Sequence, residues 1–212
     1  MHDQRLSYGQ ATPWQGPELR WGAGERADVG QARERLLDAA RFCYERLGLV
    51  STSMADIAAQ AKVTRPTVYR YFRGRQEVMH AVLQRELDQF WWRLESELAE
   101  VEHFGDYVIE ALLYLLRNAD SDSSTRLLFA PATLPHLQEL LLAEVATPGS
   151  THHPIYTHAL RPGARPPAEL SVAVEWFNRL ALSYLAKPGC CVDEEQFRAL
   201  LAGLCPWSQR RD

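Results

Sequence analysis

The sequence predicts an all-α fold of about nine helices: an N-terminal three-helix head built on a helix-turn-helix, followed by a helical bundle. Three observations predict it. Apolar residues recur at i, i+3 and i+4 along most of the 212-residue chain, the period of a helix with one buried face. No segment shows the strict apolar–polar alternation of a half-buried strand. Between residues 48 and 75, two short segments with capping signals are separated by three residues, the spacing of a helix-turn-helix. The expected organisation is a disordered tail over 1–30, the head over 31–75 and the bundle over 76–212.

Residues 1–30 carry Gly, Pro and scattered Trp without periodicity, which is why they read as a tail. From Gln31 onward Leu36, Ala40, Cys43 and Leu47 mark the first helix, and Gly48 supplies its stop. Ser53, three residues before Asp56, opens MADIAAQA as a variant capping box. Ala61–Lys62–Val63 forms the turn. Thr64 caps the third helix, with Pro66 in its first turn, where a missing N–H costs nothing. That helix runs to about Tyr71 and Arg73–Gly74 breaks it.

The fourth helix is predicted to be long. Leu83, Leu87, Phe90, Leu94, Leu98 and Val101 form one apolar stripe, and Pro is absent from Arg75 to Glu102, giving roughly 40 Å at 1.5 Å per residue. Asp106 to Asn118 is apolar nearly all round and should be a central buried helix. Shorter helices are expected near Ser124–Ala130 and Leu134–Val145. Residues 147–167 hold five prolines and read as a loop with room for one turn of helix. A helix from about Ala168 to Ala186 is stopped by Pro188–Gly189, and a last one carries Phe197, Leu200, Leu201 and Leu204.

The 46% apolar and 24% charged content is that of a globular chain able to build a core without disulfide or metal. No run approaches the roughly 18 apolar residues of a membrane span, and MHDQRLSYGQATPWQG has no apolar signal region. The cytoplasm is the expected location, with no membrane partner. The four cysteines lack CxxC spacing and read as reduced thiols. The adjacent Cys190–Cys191 reads as a plain pair at a helix end rather than a redox sensor. Net charge is −4, yet it is unevenly spread: residues 1–80 hold 12 basic against 9 acidic side chains, and residues 81–212 hold 11 against 18. Residues 51–80 alone hold 5 against 2. A basic patch on an acidic protein is what attraction to phosphate requires.

The motif explains the patch. Ile57, Ala58, Ala61, Val63 and Val68 are small enough to let two helices pack at a steep angle. The second helix then offers Arg65, Thr67, Tyr69, Arg70 and Tyr71. Arg65, near its N-terminus, suits guanine O6 and N7 in a major groove, and the Thr and Tyr hydroxyls suit phosphates. Ser53 and Thr64 cap helix N-termini, which attract anions, and Arg73 and Arg75 add phosphate attraction. A small helical hairpin with a solvated basic face is the alternative on periodicity and charge alone.

The stretch STSMADIAAQAKVTRPTVYRYFRGRQEVMHAVL resembles the N-terminal domain of the tetracycline-repressor (TetR) family over about residues 31–83, through its pattern T-x-x-x-DIA-x-x-A-x-V-[ST]-x-x-T-x-Y-x-YF-x-x-[KR]. The resemblance implies a sequence-specific transcriptional regulator of double-stranded DNA, in which Arg65 and Pro66 meet base edges while Thr67, Tyr69, Tyr71 and Arg75 meet the backbone. Lys62 departs from the family, which favours Gly in the turn, and Met54 replaces a small or polar residue. The segment AVEWFNRLALSYLAKPG resembles the dimerisation helices of one branch of the family.

In the body, Glu100-x-x-His103 has the spacing of half a di-iron site but lacks a second copy. His152, His153 and His158 read as exposed loop histidines. No nucleophile elbow, P-loop or dinucleotide fingerprint is present. The expectation is therefore no metal, no cofactor and no enzymatic activity. The resemblance implies a ligand-binding and dimerisation body. Trp91, Tyr107, Tyr114, Phe129, Trp176 and Phe177, with His136 and Asn178 as polar anchors, are assigned to a pocket for a small apolar or aromatic effector. Two apolar stripes on the penultimate helix point to a homodimer through Trp176, Leu180, Tyr184, Phe197, Leu201 and Leu204. A ligand-responsive repressor on a palindromic operator is the leading expectation. A helical-bundle enzyme, and a DNA-binding activator or architectural protein without a ligand, are the competing ones.

Overall fold

A computed structural model of the chain describes residues 29–146, 153–186 and 193–207. Most of the expected tail, His152, Pro188–Gly189 and Cys190–Cys191 lie outside the described residues. Among the described residues there are ten helices and no strand. The head comprises α1 (Val29–Leu47), α2 (Met54–Gln60) and α3 (Arg65–Tyr71). The body comprises α4 (Arg75–Glu97), α5 (Phe104–Asn118), α6 (Ser123–Leu128), α7 (Leu134–Ala146), α8 (Pro154–Ala159), α9 (Leu170–Ala186) and α10 (Glu194–Leu204).

The head closes on a small core. Leu36 of α1, Ile57 of α2, Val68 of α3 and Phe72 just after it are buried together. Burying each contributes roughly 1.5–3 kcal/mol, which is what holds two seven-residue helices too short to persist alone. The capping box is formed as expected. The Ser53 hydroxyl accepts from the Asp56 N–H, while the Asp56 carboxylate accepts from the Ser53 N–H at 2.8 Å. Thr64 differs from expectation. It stands at the N-cap of α3, but its hydroxyl pairs with the Thr67 hydroxyl at 2.8 Å and makes no backbone cap.

The connecting helix α4 runs out of the head into the body and packs on α1, α5, α6, α7 and α8. It ends earlier than expected, at Glu97 with Leu98 as its C-cap, so Glu100 and His103 fall in the link to α5 and not on one helix face. Its Leu83, Leu87, Phe90 and Leu94 are fully buried. The predicted central helix is α5, which packs on α4, α8, α9 and α10. The loop expected over 147–167 contains α8, a six-residue helix opened by Pro154 in its first turn.

Head and body are joined by a buried charge. Glu86 of α4 is 1% exposed. Its carboxylate accepts from the Ser124 hydroxyl of α6 and lies 3.7 Å from Arg41 of α1 and 3.4 Å from Arg85. Arg41 also donates to Ser123 at 2.9 Å, and Arg85 reaches back to Glu34 and Asp38 of α1. One carboxylate thus ties together the first helix of the head, the connecting helix and a short body helix. A cleft of about 500 Å³ opens beside this junction, lined by Tyr44, Gly48, Leu49, Ser123, Leu127 and Thr133 among others. No residue assigned to the pocket from sequence lines it.

Candidate nucleic-acid interface and interior polar cluster

The outer face of α3 follows from helical spacing. Val68 turns inward, and Tyr71 and Phe72, three and four residues on, turn with it. Phe72 is buried, and the half-buried Tyr71 keeps its hydroxyl away from solvent. Burial pushes that hydroxyl's pKa up. Tyr71, assigned to the DNA backbone from sequence, packs partly buried against the head core. Arg65, Pro66, Tyr69 and Arg70 are exposed and share the opposite face, with Thr67 half-buried beside them. The Arg65 guanidinium lies 5.5 Å from the Tyr69 ring centroid and donates to the Tyr69 hydroxyl at 3.2 Å. That contact holds an extended cation at the start of the helix, where a base-reading side chain must sit.

Arg75 is exposed, and its Nη1 donates to the Val50 carbonyl at 2.7 Å. It pins the α1–α2 loop to the start of α4, a structural role that the sequence did not reveal. Met54, also unusual for its position, is buried in the head core.

Lys62 sits in the turn at φ +57°, the one described non-glycine residue with positive φ. Left-handed backbone at a side-chain-bearing residue costs roughly 1–2 kcal/mol, while glycine adopts it freely at some entropic cost. Lys62→Gly should raise unfolding free energy by about 0.5–1 kcal/mol in denaturant titration. A loss of stability would mean that the lysine side chain contributes more than the strain removes.

The interior of the body holds two polar groups of its own. In the first, His153 at the N-cap of α8 is fully buried between Trp91 of α4 and Phe177 of α9, with ring centroids 5.4 and 5.5 Å away. Its Nδ1 accepts from the Ile155 N–H at 3.3 Å. Nε2 therefore carries the proton and donates to Asn178 Oδ1 at 3.0 Å. Burial lowers the imidazole pKa to about 4, opposed by the Asn178 hydrogen bond. The Asn178 amide nitrogen and the Trp91 indole nitrogen are buried without a protein partner. In the second group His158 stacks on Tyr107 at 4.0 Å and donates to the Val101 carbonyl at 2.8 Å. Burial lowers the His158 pKa and raises that of Tyr107. The Tyr107 hydroxyl is also buried and unpartnered.

The expected exposure of His153 and His158 is thus corrected: both are buried, because α8 folds the proline-rich segment back onto α4, α5 and α9. Of the eight residues assigned to a pocket, Trp91, Phe177 and Asn178 come together around His153. Tyr114 and Phe129 flank Phe90, with centroids 5.6 and 5.1 Å away. Trp176 turns outward onto Trp207, 5.6 Å away. His136 leaves the group and faces His80 and Glu139. Sequence reasoning missed His153 because a histidine before a proline in a Gly/Pro-rich stretch reads as loop. Its signal was the N-cap position ahead of PIYTHA.

On α9, of the first expected stripe (Leu170, Val174, Phe177 and Ala181) the last three are buried and Leu170 is half-buried. Of the second, Trp176, Leu180 and Tyr184 remain half-buried, while Ala173 is buried. On α10 the expectation needs correction. Phe197 and Leu201 are 3% and 0% exposed, because they pack within their own chain against α5 and Tyr184. Leu200 and Leu204 are the exposed large apolar residues of α10, at 45% and 50%, with Val172 of α9 at 49%.

The chain is similar to known helix-turn-helix regulators. Residues 36–82 match the family model described as bacterial regulatory proteins, tetR family. The chain is 25% identical over 187 residues, 86% of each chain, to the uncharacterized HTH-type transcriptional regulator Rv1255c of Mycobacterium tuberculosis (strain ATCC 25618 / H37Rv). It is 26% identical over 94 residues to the HTH-type transcriptional regulator UidR of Escherichia coli (strain K12), covering 44% of this chain and 47% of that one. Among solved structures, RolR in complex with resorcinol aligns with TM-score 0.60 at 20% identity, over 84% of this chain and 88% of that chain. The multidrug binding protein EbrR complexed with imidazole aligns with TM-score 0.57 at 22% identity, over 85% and 98%. At these identities the structural likeness speaks to the fold. No described helix is long and apolar enough to cross a membrane.

Proposed function

We propose that this chain, whose residues 36–82 match the tetR family model, is a helix-turn-helix transcriptional regulator: a dimeric repressor whose body takes up a small apolar or aromatic effector to set operator affinity. The observation that carries the DNA-binding half is the outer face of α3. Arg65, Tyr69 and Arg70 are presented together by a helix whose inner face is locked by Val68 and Phe72. Arg65 reads base edges, and Thr67, Tyr69 and Arg70 grip the backbone.

Arg65→Ala should weaken binding to the operator by about 1–3 kcal/mol and relax preference at one base pair per half-site, with little change on unrelated DNA. Fluorescence anisotropy on matched and scrambled duplexes reads both. An equal loss on all sequences would assign Arg65 to phosphate instead.

Dimerisation is carried by the apolar surface that one chain leaves open: Val172, Trp176 and Leu180 of α9 with Leu200 and Leu204 of α10. Two copies form a four-helix contact about a two-fold axis, which sets two heads about one helical turn of DNA apart. Leu200→Glu with Leu204→Glu should give a helical monomer in sedimentation velocity that binds the operator at least tenfold more weakly. A double variant that still sediments as a dimer rules out this face. Leu201 is unsuited to the test, since it belongs to the core.

The effector reading rests on Trp91, His153, Phe177 and Asn178. Apolar walls with two unsatisfied donors suit a flat neutral molecule carrying a hydrogen-bond acceptor, since an unmet buried donor costs about 1–3 kcal/mol.

A further inference from the structure

We infer that His80, His136 and Glu139 form a binding site for a zinc-class divalent metal ion that clamps the connecting helix α4 to α7. The three residues bring one ligand atom each to within 4.8 Å of one another. Glu139 Oε2 lies 3.6 Å from His80 Nε2 and 4.0 Å from His136 Nδ1, and the two imidazole centroids are 6.0 Å apart. These gaps are too long for hydrogen bonds. They are close to the spacing a metal imposes, since two ligands at 2.0–2.1 Å in a tetrahedron stand roughly 3.3 Å apart. Both ring nitrogens are buried and have no hydrogen-bond partner, so neither lone pair is committed elsewhere. Small rotations of three side chains complete the set.

The donor chemistry selects the ion. Two imidazoles and one carboxylate suit zinc and its neighbours rather than calcium or magnesium, which take oxygen ligands. His136 and Glu139 stand three residues apart on one face of α7. His80 comes from the second turn of α4, near the head. The two histidines are about one-third exposed and Glu139 is 62% exposed, so the triad lies near the surface, and the side-chain rotations that complete it also turn the buried ring nitrogens towards an entering ion and leave a fourth position for water. None of the three takes part in the Glu86 junction or the His153 cluster.

The consequence is regulatory, and this part rests on the proposed DNA-binding function. The helix α4 follows α3 directly and packs against α7, which itself packs on α9. A metal bridge between α4 and α7 fixes the angle at which the head leaves the body. Occupancy therefore changes operator affinity, and operator binding changes metal affinity by the same factor.

Chelator-stripped, tag-free full-length protein should bind zinc, measured by competition with a chromophoric indicator, and should give cobalt the intense visible absorption of a four-coordinate site. His80→Ala and His136→Ala should each lower zinc affinity at least about tenfold and abolish the cobalt spectrum. Glu139→Gln should weaken binding, while His103→Ala, exposed in the α4–α5 link, should leave it unchanged. Circular dichroism checks that the variants remain folded. Equal zinc affinity in the wild type and the His80→Ala, His136→Ala double variant overturns the site. Zinc should also shift operator affinity in the wild type and not in the double variant. Zinc bound at the triad with no such shift overturns the coupling and leaves the site standing. Failure of any operator binding would refute the DNA-binding function while the metal result holds.

Discussion

Glu86→Ala should lower the unfolding free energy by about 2–4 kcal/mol. Glu86 is 1% exposed and faces Arg41, Arg85 and Ser124. Removing it takes the buried partner from two guanidinium groups that are 33% and 17% exposed, and breaking a buried pair usually costs about 3–5 kcal/mol. The lower figure is adopted because Arg41 keeps Glu45 at 3.1 Å and Arg85 keeps Glu34 and Asp38. Those pairs are more exposed and so better screened. Because the network spans α1, α4 and α6, the loss should appear as weakened coupling between head and body. Urea denaturation followed at head and body probes should give one transition for the wild type and two for Glu86→Ala. A change below 0.5 kcal/mol would show that the carboxylate is held by its surroundings and does not hold them.

Acid should destabilise the protein through His153. The imidazole pKa is about 4 in the folded chain because burial disfavours its charged form, against about 6.5 when unfolded. Between these values the unfolded state binds more protons, so stability rises with pH across that window. The contribution is fully present above about pH 6.5 and is lost as pH falls towards 4. It amounts to about 3 kcal/mol at one pKa unit per 1.36 kcal/mol. His158, also lowered by burial, adds in the same direction. Asp56, held low by the hydroxyl and N–H of Ser53, contributes only at lower pH. His153→Gln keeps a donor for Asn178 and does not titrate. Its unfolding free energy should vary less between pH 7 and pH 4.5 than that of the wild type. Equal pH dependence in both would remove His153 as the cause.

The head was legible from sequence because its signals are local. Ser53 with Asp56, Pro66 at the start of α3 and the small residues Ile57, Ala58 and Val68 each act within a few positions, and all landed where expected. The missing backbone cap of Thr64 and the inward turn of Tyr71 were not legible, because rotamer and facing are settled by packing. A hydroxyl at an N-cap can find a side chain as readily as a backbone N–H. The body was legible as helices but not as a site. Glu86 lies in an apolar stripe, and its burial depends on Arg41 and Ser124, 45 and 38 residues away, as well as on its neighbour Arg85. His153 and His158 owe their burial to α8, a helix shorter than two turns with no periodicity to announce it. Leu201 and Leu204 have the same hydrophobicity, so only contact with α5 separates the buried residue from the exposed one.

The central claim is that two copies of the α3 face read DNA together. Selection of bound sequences from a random duplex library by the full-length protein tests it most directly. The account predicts a two-fold symmetric site with half-sites about one helical turn apart, roughly 10 base pairs centre to centre, lost in Arg65→Ala. Enrichment of no sequence, or of a single unpaired half-site bound by one chain, would contradict it.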